Sequence, residues 1–314
     1  MKVSTVLIFI FLLIFVTSCS TLTTGVSEKT IRILATSDVH GKFCPYDYMS
    51  ASDSLSGSMA QIASVIKQRR TEDTIVVDAG DLIQGNFAEI FLKSKGYDTT
   101  HPMAKALNSI GYDAWCTGNH EYNWGMENLK AFISSVNVPL ITGNVRENGV
   151  RLGKPYVIIK RNGVRIALIG ATTPNIKFWD KDKLKDVEVT NPIDEIKGAI
   201  AEIGDKADIF IAVVHMGLEN EFDVYGSGCR DLANECPQLS LIVASHSHEA
   251  FCDEFINGVR IIENEDSGKT VTQVDLQLER KSGKWTVVDS SAENIHAGDF
   301  TPDNELLKIT ESDD

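Results

Sequence analysis

Two glycine-built phosphate cradles are missing from this 314-residue chain: neither G-x-G-x-x-G nor G-x-x-x-x-G-K occurs. Basic residues are scarce, 30 Lys and Arg against 44 Asp and Glu, for a formal net charge of -14 at pH 7. The acids are spread along the chain rather than run together, which argues against a sequence-independent grip on a nucleic-acid polymer. A small anion remains admissible if metals supply the local positive charge. No cysteine pair has metal-ligand spacing, and no apolar run is long enough for a comfortable membrane span. With no internal repeat and no low-complexity linker, one domain is preferred over two. What is present is 43% apolar residues at a mean hydropathy of -0.08, the balance of a soluble globular protein.

Residues 1–18 read as a targeting segment: Lys2 is its only charge and an apolar run extends from Val6 to Val16. Val16-Thr17-Ser18-Cys19 resembles a bacterial lipobox, which implies that Cys19 is lipidated and anchors an exported protein to a membrane, in the periplasm or at the cell surface. An ordinary secretory signal and an uncleaved anchor are the alternatives. Residues 19–29 then form a polar tether. Export permits disulfides. Cys44, Cys116, Cys229, Cys236 and Cys252 are odd in number, so at least one is unpaired or pairs between chains. Cys229 and Cys236 fall on one helical stretch, about 10.5 Å apart and too far for one bridge. Cys44 with Cys252 is the expected pair, since both follow the polar clusters described below.

From Thr30 strands and helices alternate. Strands are expected at Ile31–Ala35, Thr74–Val77, Ala114–Cys116 and Pro139–Thr142, with helices at Ser58–Arg70, Pro102–Ile110 and Met126–Ser134. This predicts an α/β fold with a mainly parallel sheet covered on both faces. Asn162-Gly163, between Tyr156–Lys160 and Val164–Gly170, is a hairpin signal that reverses the chain. Helix Ile193–Ile203, strand Ile209–Val214, helix Cys229–Ala233 and strand Leu239–Ala244 resume the alternation. Val259–Ile262, Thr270–Leu278 and Trp285–Val288 read as an antiparallel meander, and Asp303 caps a short tail patterned by Leu306, Leu307 and Ile309.

Polar clusters follow the apolar runs: Asp38-Val39-His40, Gly80-Asp81, Gly118-Asn119-His120-Glu121, His215, and His246-Ser247-His248, which use five of the seven histidines. Imidazole, carboxylate and amide oxygen together suit Zn, Mn, Fe, Co or Ni, whereas an oxygen-only set would suggest Mg or Ca. Strand ends are where a parallel sheet gathers distant segments. A spacing of two places Asp38 with His40, and His246 with His248, on one face of an extended strand. Asp81, presented by a glycine turn, has two oxygens with which to bridge two ions. Asn119 offers a neutral oxygen, and its neighbour His120 points elsewhere, free to act on substrate. Asp78 and Glu121 are candidates to orient ligand imidazoles. His101 and His296 are expected at the surface.

In this order, Asp-x-His, Gly-Asp, Gly-Asn-His-Glu, His and His-x-His resemble the calcineurin-like metallophosphoesterases, specifically the catalytic domain of the bacterial 5'-nucleotidase and 2',3'-cyclic-nucleotide 2'-phosphodiesterase family. The likeness runs from about Ile31 to Val288. Asp81-Leu82-Ile83-Gln84-Gly85-Asn86, Gly118 to Gly125, and Thr173-Pro174 through Trp179-Asp180 lean toward the cyclic-phosphodiesterase/3'-nucleotidase branch. The resemblance implies a four-layer β-sandwich of mixed sheets flanked by helices over residues 30–300, a short tail at 301–314, two divalent metal ions, and hydrolysis of nucleotide phosphate esters. It implies that Asp38, His40, Asp81 and His248 hold one ion, that Asp81, Asn119, His215 and His246 hold the other, and that His120 is catalytic.

Two positions depart from the family pattern. Asn123 stands where 5'-nucleotidases have an Asp three residues beyond the catalytic His, so orientation by a carboxylate is lost. Ser245 replaces a usual Gly before His-x-His, which is expected to tighten that turn. Family enzymes also carry a C-terminal nucleoside-binding domain without a counterpart in this sequence; the expectation is a separate polypeptide as partner, or looser substrate selection. Rival readings are a broad-specificity phosphomonoesterase or UDP-sugar hydrolase and, from another class, a surface-anchored binding or scaffold protein with weak or no turnover.

Overall fold

The computed structural model describes residues 27–47, 49–85 and 101–310; the targeting segment, Cys19, most of the tether and Asn86 lie outside these residues. In chain order, the strands of the two large sheets are β1 (Glu28–Thr36), β2 (Thr74–Asp78), β3 (Ala114–Trp115), β4 (Tyr156–Arg161), β5 (Val164–Thr172), β6 (Ile209–His215), β7 (Leu241–Ala244), β8 (Phe251–Ile256), β9 (Val259–Glu263), β10 (Thr270–Lys281) and β11 (Lys284–His296). One sheet has the order β11-β10-β1-β2-β3, the other β8-β9-β7-β6-β5-β4. Strands β1, β2 and β3 are parallel, as are β5, β6, β7 and β9, while β4, β8, β10 and β11 pair antiparallel.

The alternation therefore feeds two mixed sheets rather than one, because the same signal serves units that enter either. The expected final meander is likewise split. Strand β9 lies parallel to β7 in the second sheet, whereas β10 and β11 are a hairpin of the first. Pro139–Thr142 forms only single bridges, Trp115 to Leu140 and Thr142 to Gly170, and so links an edge of one sheet to the other. The β4–β5 reversal is as expected: Asn162 and Gly163 have φ of 48° and 75°, the left-handed pair of a tight two-residue turn.

Period-two alternation explains the layers. Ile31, Ile33 and Ala35 face Ile166, Leu168, Ile211 and Val213 across the space between the sheets. Their neighbours turn outward. Leu34 and Val76 pack under α1 (Met59–Arg69) and α2 (Pro102–Ile110), with Phe132 of α3 (Met126–Ser135) in the same cluster. A one-turn helix, α4 (Ile176–Trp179), follows β5. Ala167, Ile169, Ala212 and Val214 pack under α5 (Pro192–Ile203) and α6 (Cys229–Glu235). This is the four-layer sandwich with helices outside. The tail folds into it as α7 (Asn304–Thr310), with Leu306 2% exposed and Asp303 Oδ1 accepting from the Leu306 amide at 3.0 Å.

Three expectations are corrected. His101 is buried, its Nδ1 accepting from the Met103 amide at 3.1 Å as the cap of α2 and its ring meeting Phe132 edge-on at 5.3 Å. Cys44 and Cys252 form no disulfide, because Cys44 packs on the helical core outside the first sheet and Cys252 on the core between the sheets. Glu28 and Lys29 of the expected tether already pair with Glu279 and Leu278 in β1–β10. Among the described residues no helix is long and apolar enough to cross a membrane. The carboxyl ends of β1, β2, β3, β6 and β7 open onto one edge of the sandwich, where the polar clusters meet.

Candidate metal centre

Asp38 and His40 follow β1 by two and four residues, and both turn into left-handed backbone at φ 52°. They are off the strand, so the expected same-face pairing does not apply. What brings them together is a run of backbone bonds to the next loop: Asp38 N to Gly80 O at 2.8 Å, His40 N to Asp81 O at 2.8 Å and Gly41 N to Leu82 O at 2.7 Å. His40 Nδ1 meets Gln84 O at 3.1 Å, which places the proton on Nδ1 and a lone pair on Nε2. That Nε2 faces His248 Nε2 at 3.2 Å. Asp38 Oδ1, buried and without a hydrogen-bond partner, lies 3.5 Å from His248 Nε2. Two imidazole nitrogens and an orphaned carboxylate oxygen pointed at one another suit a divalent cation. The Asp38 carboxylate beside it raises the pKa of His248.

A second group forms around His215, which is fully buried at the end of β6. His215 Nε2 lies 3.2 Å from Asp81 Oδ2, 3.0 Å from Asn119 Oδ1 and 3.2 Å from His246 Nδ1. One proton cannot satisfy these converging acceptors; one cation can. Burial alone would lower the His215 pKa, but the charge and hydrogen bond of Asp81 push it up to about 10. The same pairing overrides burial at Asp81 and holds that carboxyl well below the usual range. Positive charge is thus favoured between these two side chains. His246 and His248, with φ of 84° and 61°, do not share a face but divide between the two groups. Asp81 joins them: its ligand atom lies within 4.8 Å of those of His215 and His246, and within the same distance of those of His40 and His120.

His120 is tied to Asp81 through its amide, which donates to Asp81 Oδ1 at 2.8 Å. Its Nδ1 is hydrogen-bonded to Gln84 Oε1, and its Nε2 lies 4.0 Å from Asp81 Oδ2. Burial, with His40 and His215 nearby, lowers its pKa against the opposing pull of Asp81 and a hydrogen bond that it donates to Asn123. Asn123 Nδ2 in turn donates to Asp180 Oδ2 at 2.7 Å. A carboxylate therefore does stand behind His120, one residue removed.

Glu121 and Asp78 do not orient imidazoles. The buried Glu121 carboxylate accepts from the amides of Asp81 at 2.9 Å, Leu82 at 2.7 Å, Ile83 at 3.1 Å and Gly118 at 2.6 Å. Burial and the Asp81 charge push its pKa up to about 7 against those amides. Asp78, whose pKa burial raises well above the usual carboxylate range, accepts from Thr36 Oγ1 at 2.6 Å and the Gly80 amide at 2.9 Å. Both fix loops. Gly118 is required here, since a Cβ would sit 2.1 Å from Asp81 Oδ1.

The imidazoles are oriented by other groups. His215 Nδ1 donates to Ala79 O at 2.8 Å and lies 2.9 Å from Ser245 Oγ, so Ser245 helps to fix a candidate ligand. His246 Nε2 meets Glu221 Oε1 at 2.9 Å. Glu221 lies in the loop after β6 with no motif around it, and sequence reasoning missed it; Gln84 sat within a quoted motif without a role. Glu121→Gln is expected to lower stability by about 2–4 kcal/mol, because an amide cannot accept from all these donors. Urea unfolding in the presence of chelator measures it, and an unchanged midpoint would contradict the bracing role.

The calcineurin-like phosphoesterase family profile matches residues 31–250. The chain is 33% identical to the trifunctional nucleotide phosphoesterase protein YfkN of Bacillus subtilis over 89% of its own length and 22% of that protein. It is 30% identical to the 2',3'-cyclic-nucleotide 2'-phosphodiesterase/3'-nucleotidase of Haemophilus influenzae over 85% of its length and 46% of the relative. The crystal structure of calcineurin-like phosphoesterase YfkN from B. subtilis superposes with a TM-score of 0.84 at 29% identity, covering 91% of this chain and 97% of that one. The chain thus spans less than half the length of the curated relatives named here. With candidate metal-binding groups gathered at the strand ends of this sandwich and a family match across most of it, the chain belongs to the calcineurin-like phosphoesterase family.

Proposed function

We propose that this protein is a dinuclear-metal phosphoesterase that hydrolyses nucleotide phosphate esters, of the 2',3'-cyclic-nucleotide phosphodiesterase or 3'- or 5'-nucleotidase type. The observation that carries this reading is Asp81, set between two groups of ligand atoms. Asp38, His40, Asp81 and His248 would hold one ion; Asp81, Asn119, His215 and His246 would hold the other. Divalent ions there, such as Zn, Mn, Fe, Co or Ni, supply positive charge that binds phosphoryl oxygens and acidifies water.

The chain's own contribution is orientation and proton control. Gln84 and Asn123 hold the His120 ring, whose side chain is 32% exposed and so open to substrate. As imidazolium, with Nδ1 held by Gln84, His120 would donate a hydrogen bond or a proton from Nε2 to the leaving oxygen as the ester bond breaks. Nucleotides are favoured because the relatives are named for nucleotide phosphoester chemistry. The cyclic-phosphodiesterase/3'-nucleotidase branch is favoured by Asp81 through Asn86, Gly118 through Gly125, and Thr173-Pro174 through Trp179-Asp180.

His120→Ala is expected to keep its metal content and to lower kcat on 2',3'-cAMP or 3'-AMP by about 10²–10⁴-fold, while Asp81→Asn loses metal and turnover together. Metal analysis alongside a panel that adds 5'-AMP and UDP-glucose checks both. Wild-type turnover in either variant would end this reading, and a preference for UDP-glucose would favour the sugar-nucleotide alternative.

We further propose that the protein works outside the cytoplasm, held to a membrane by lipid at Cys19, on the strength of residues 1–19. Radiolabelled palmitate is expected to enter the wild type and not Cys19→Ser; no label in the wild-type protein would rule lipidation out.

A further inference from the structure

Large aromatic side chains seldom crowd together in solvent without a binding role. Phe178 is 71% exposed, Phe222 64% and Trp179 36%. They form one group: Phe178 and Phe222 have ring centroids 5.3 Å apart, and Trp179 and Phe222 6.2 Å. Trp179 also reaches the metal centre, its ring 5.5 Å from that of His246. The row of rings therefore leads away from a proposed metal ligand.

Its placement is built through one carboxylate. Glu221 Oε1 meets His246 Nε2 at 2.9 Å, and Glu221 Oε2 accepts from Asn175 Nδ2 at 3.2 Å. Phe222 follows Glu221 directly, and Phe178 and Trp179 follow Asn175 on α4, so both arms of the group hang from the residue that orients His246. The Phe222 loop is also tied by Ser227 Oγ, which accepts from the Glu221 amide at 2.8 Å and donates to Val224 O at 2.8 Å. Phe222 and Asp223 have φ of 52° and 56°, an unfavourable backbone for a bulky residue, and the loop turns Phe222 to solvent rather than into a core.

We propose that Phe178, Trp179 and Phe222 are a stacking platform for the base of a nucleotide whose phosphate lies at the metal centre, an inference that rests on the phosphoesterase reading above. The rings are inclined to one another by 45° and 64°, so a base stacks on the face of one while the others flank it, and an exposed ring face beside a phosphate site suits a nucleobase one sugar away from the reacting phosphorus. Stacking reads no hydrogen-bond pattern, so purines and pyrimidines are both accepted.

The test uses the full chain. Adenosine, which has a base and no phosphate, is titrated while tryptophan emission is followed. Quenching is expected, with loss of the quench in Trp179→Phe and about tenfold weaker half-saturation in Phe222→Ala. In parallel, the ratio of kcat/KM for 3'-AMP to that for glycerol 2-phosphate, which lacks a base, is expected to fall about tenfold in Phe222→Ala, through KM, and to recover in Phe222→Tyr. No adenosine quench, or equal losses on the two substrates, overturns the platform and assigns the patch to a macromolecular surface, leaving the phosphoesterase reading intact. Absence of metal-dependent turnover on any phosphoester overturns that reading instead, and the adenosine titration then decides the platform alone.

Discussion

One buried carboxylate braces the two loops from which the centre is built. Glu121 takes amide hydrogens from Asp81, Leu82 and Ile83 on the loop after β2 and from Gly118 on the loop after β3. Each of these amides would otherwise be a buried donor without a partner, at a cost of about 1–3 kcal/mol. The same contacts draw the two loops so close that Gly118 has no room for a side chain and Gly80 must adopt a φ of 99°. Asp81 and Asn119 are positioned as a result, and so is His120, whose amide is bonded to Asp81.

The loops this frame holds are not relaxed. Asp38, His40, Asp81, Gln84, His246 and His248 all have left-handed backbone, and none is glycine. Each such residue stores about 1–3 kcal/mol and persists only where the surroundings leave it no alternative. Here the surroundings are the two sheets, whose shared apolar core fixes where five strand ends emerge. Acidic side chains are concentrated in the same place: Asp38, Asp78, Asp81, Glu121 and Glu263 are all buried. Glu263 secures the last loop, accepting from the Ser247 amide at 2.8 Å and its hydroxyl at 2.7 Å, with burial pushing its pKa up to about 7. So many buried acids are tolerable where cations belong among them.

Much of the arrangement was legible in the sequence because strand–helix alternation and strand-end polar clusters are local signals. Helix Pro102–Ile110 and the Asn162-Gly163 reversal were readable from their own residues. The division into two sheets was not, since partner choice between strands leaves no local mark. The candidate ligands are recognisable from residue type and order, yet strand alternation does not explain why Asp38 sits with His40, because the backbone has already left the strand. Glu121 could be taken for an imidazole partner because its position beside His120 says nothing of the amides it meets. Glu221 carries no local signal and Asp180 only a motif without a role, for their importance arises only when distant loops close on His246 and Asn123.

Asp81 is proposed to lie between two metal ions. Anomalous diffraction from crystals loaded with manganese tests it most directly. Two peaks per chain are expected, one beside Asp38, His40 and His248, the other beside Asn119, His215 and His246, with an Asp81 oxygen on each. A single peak, or a second peak that does not touch Asp81, would contradict the account.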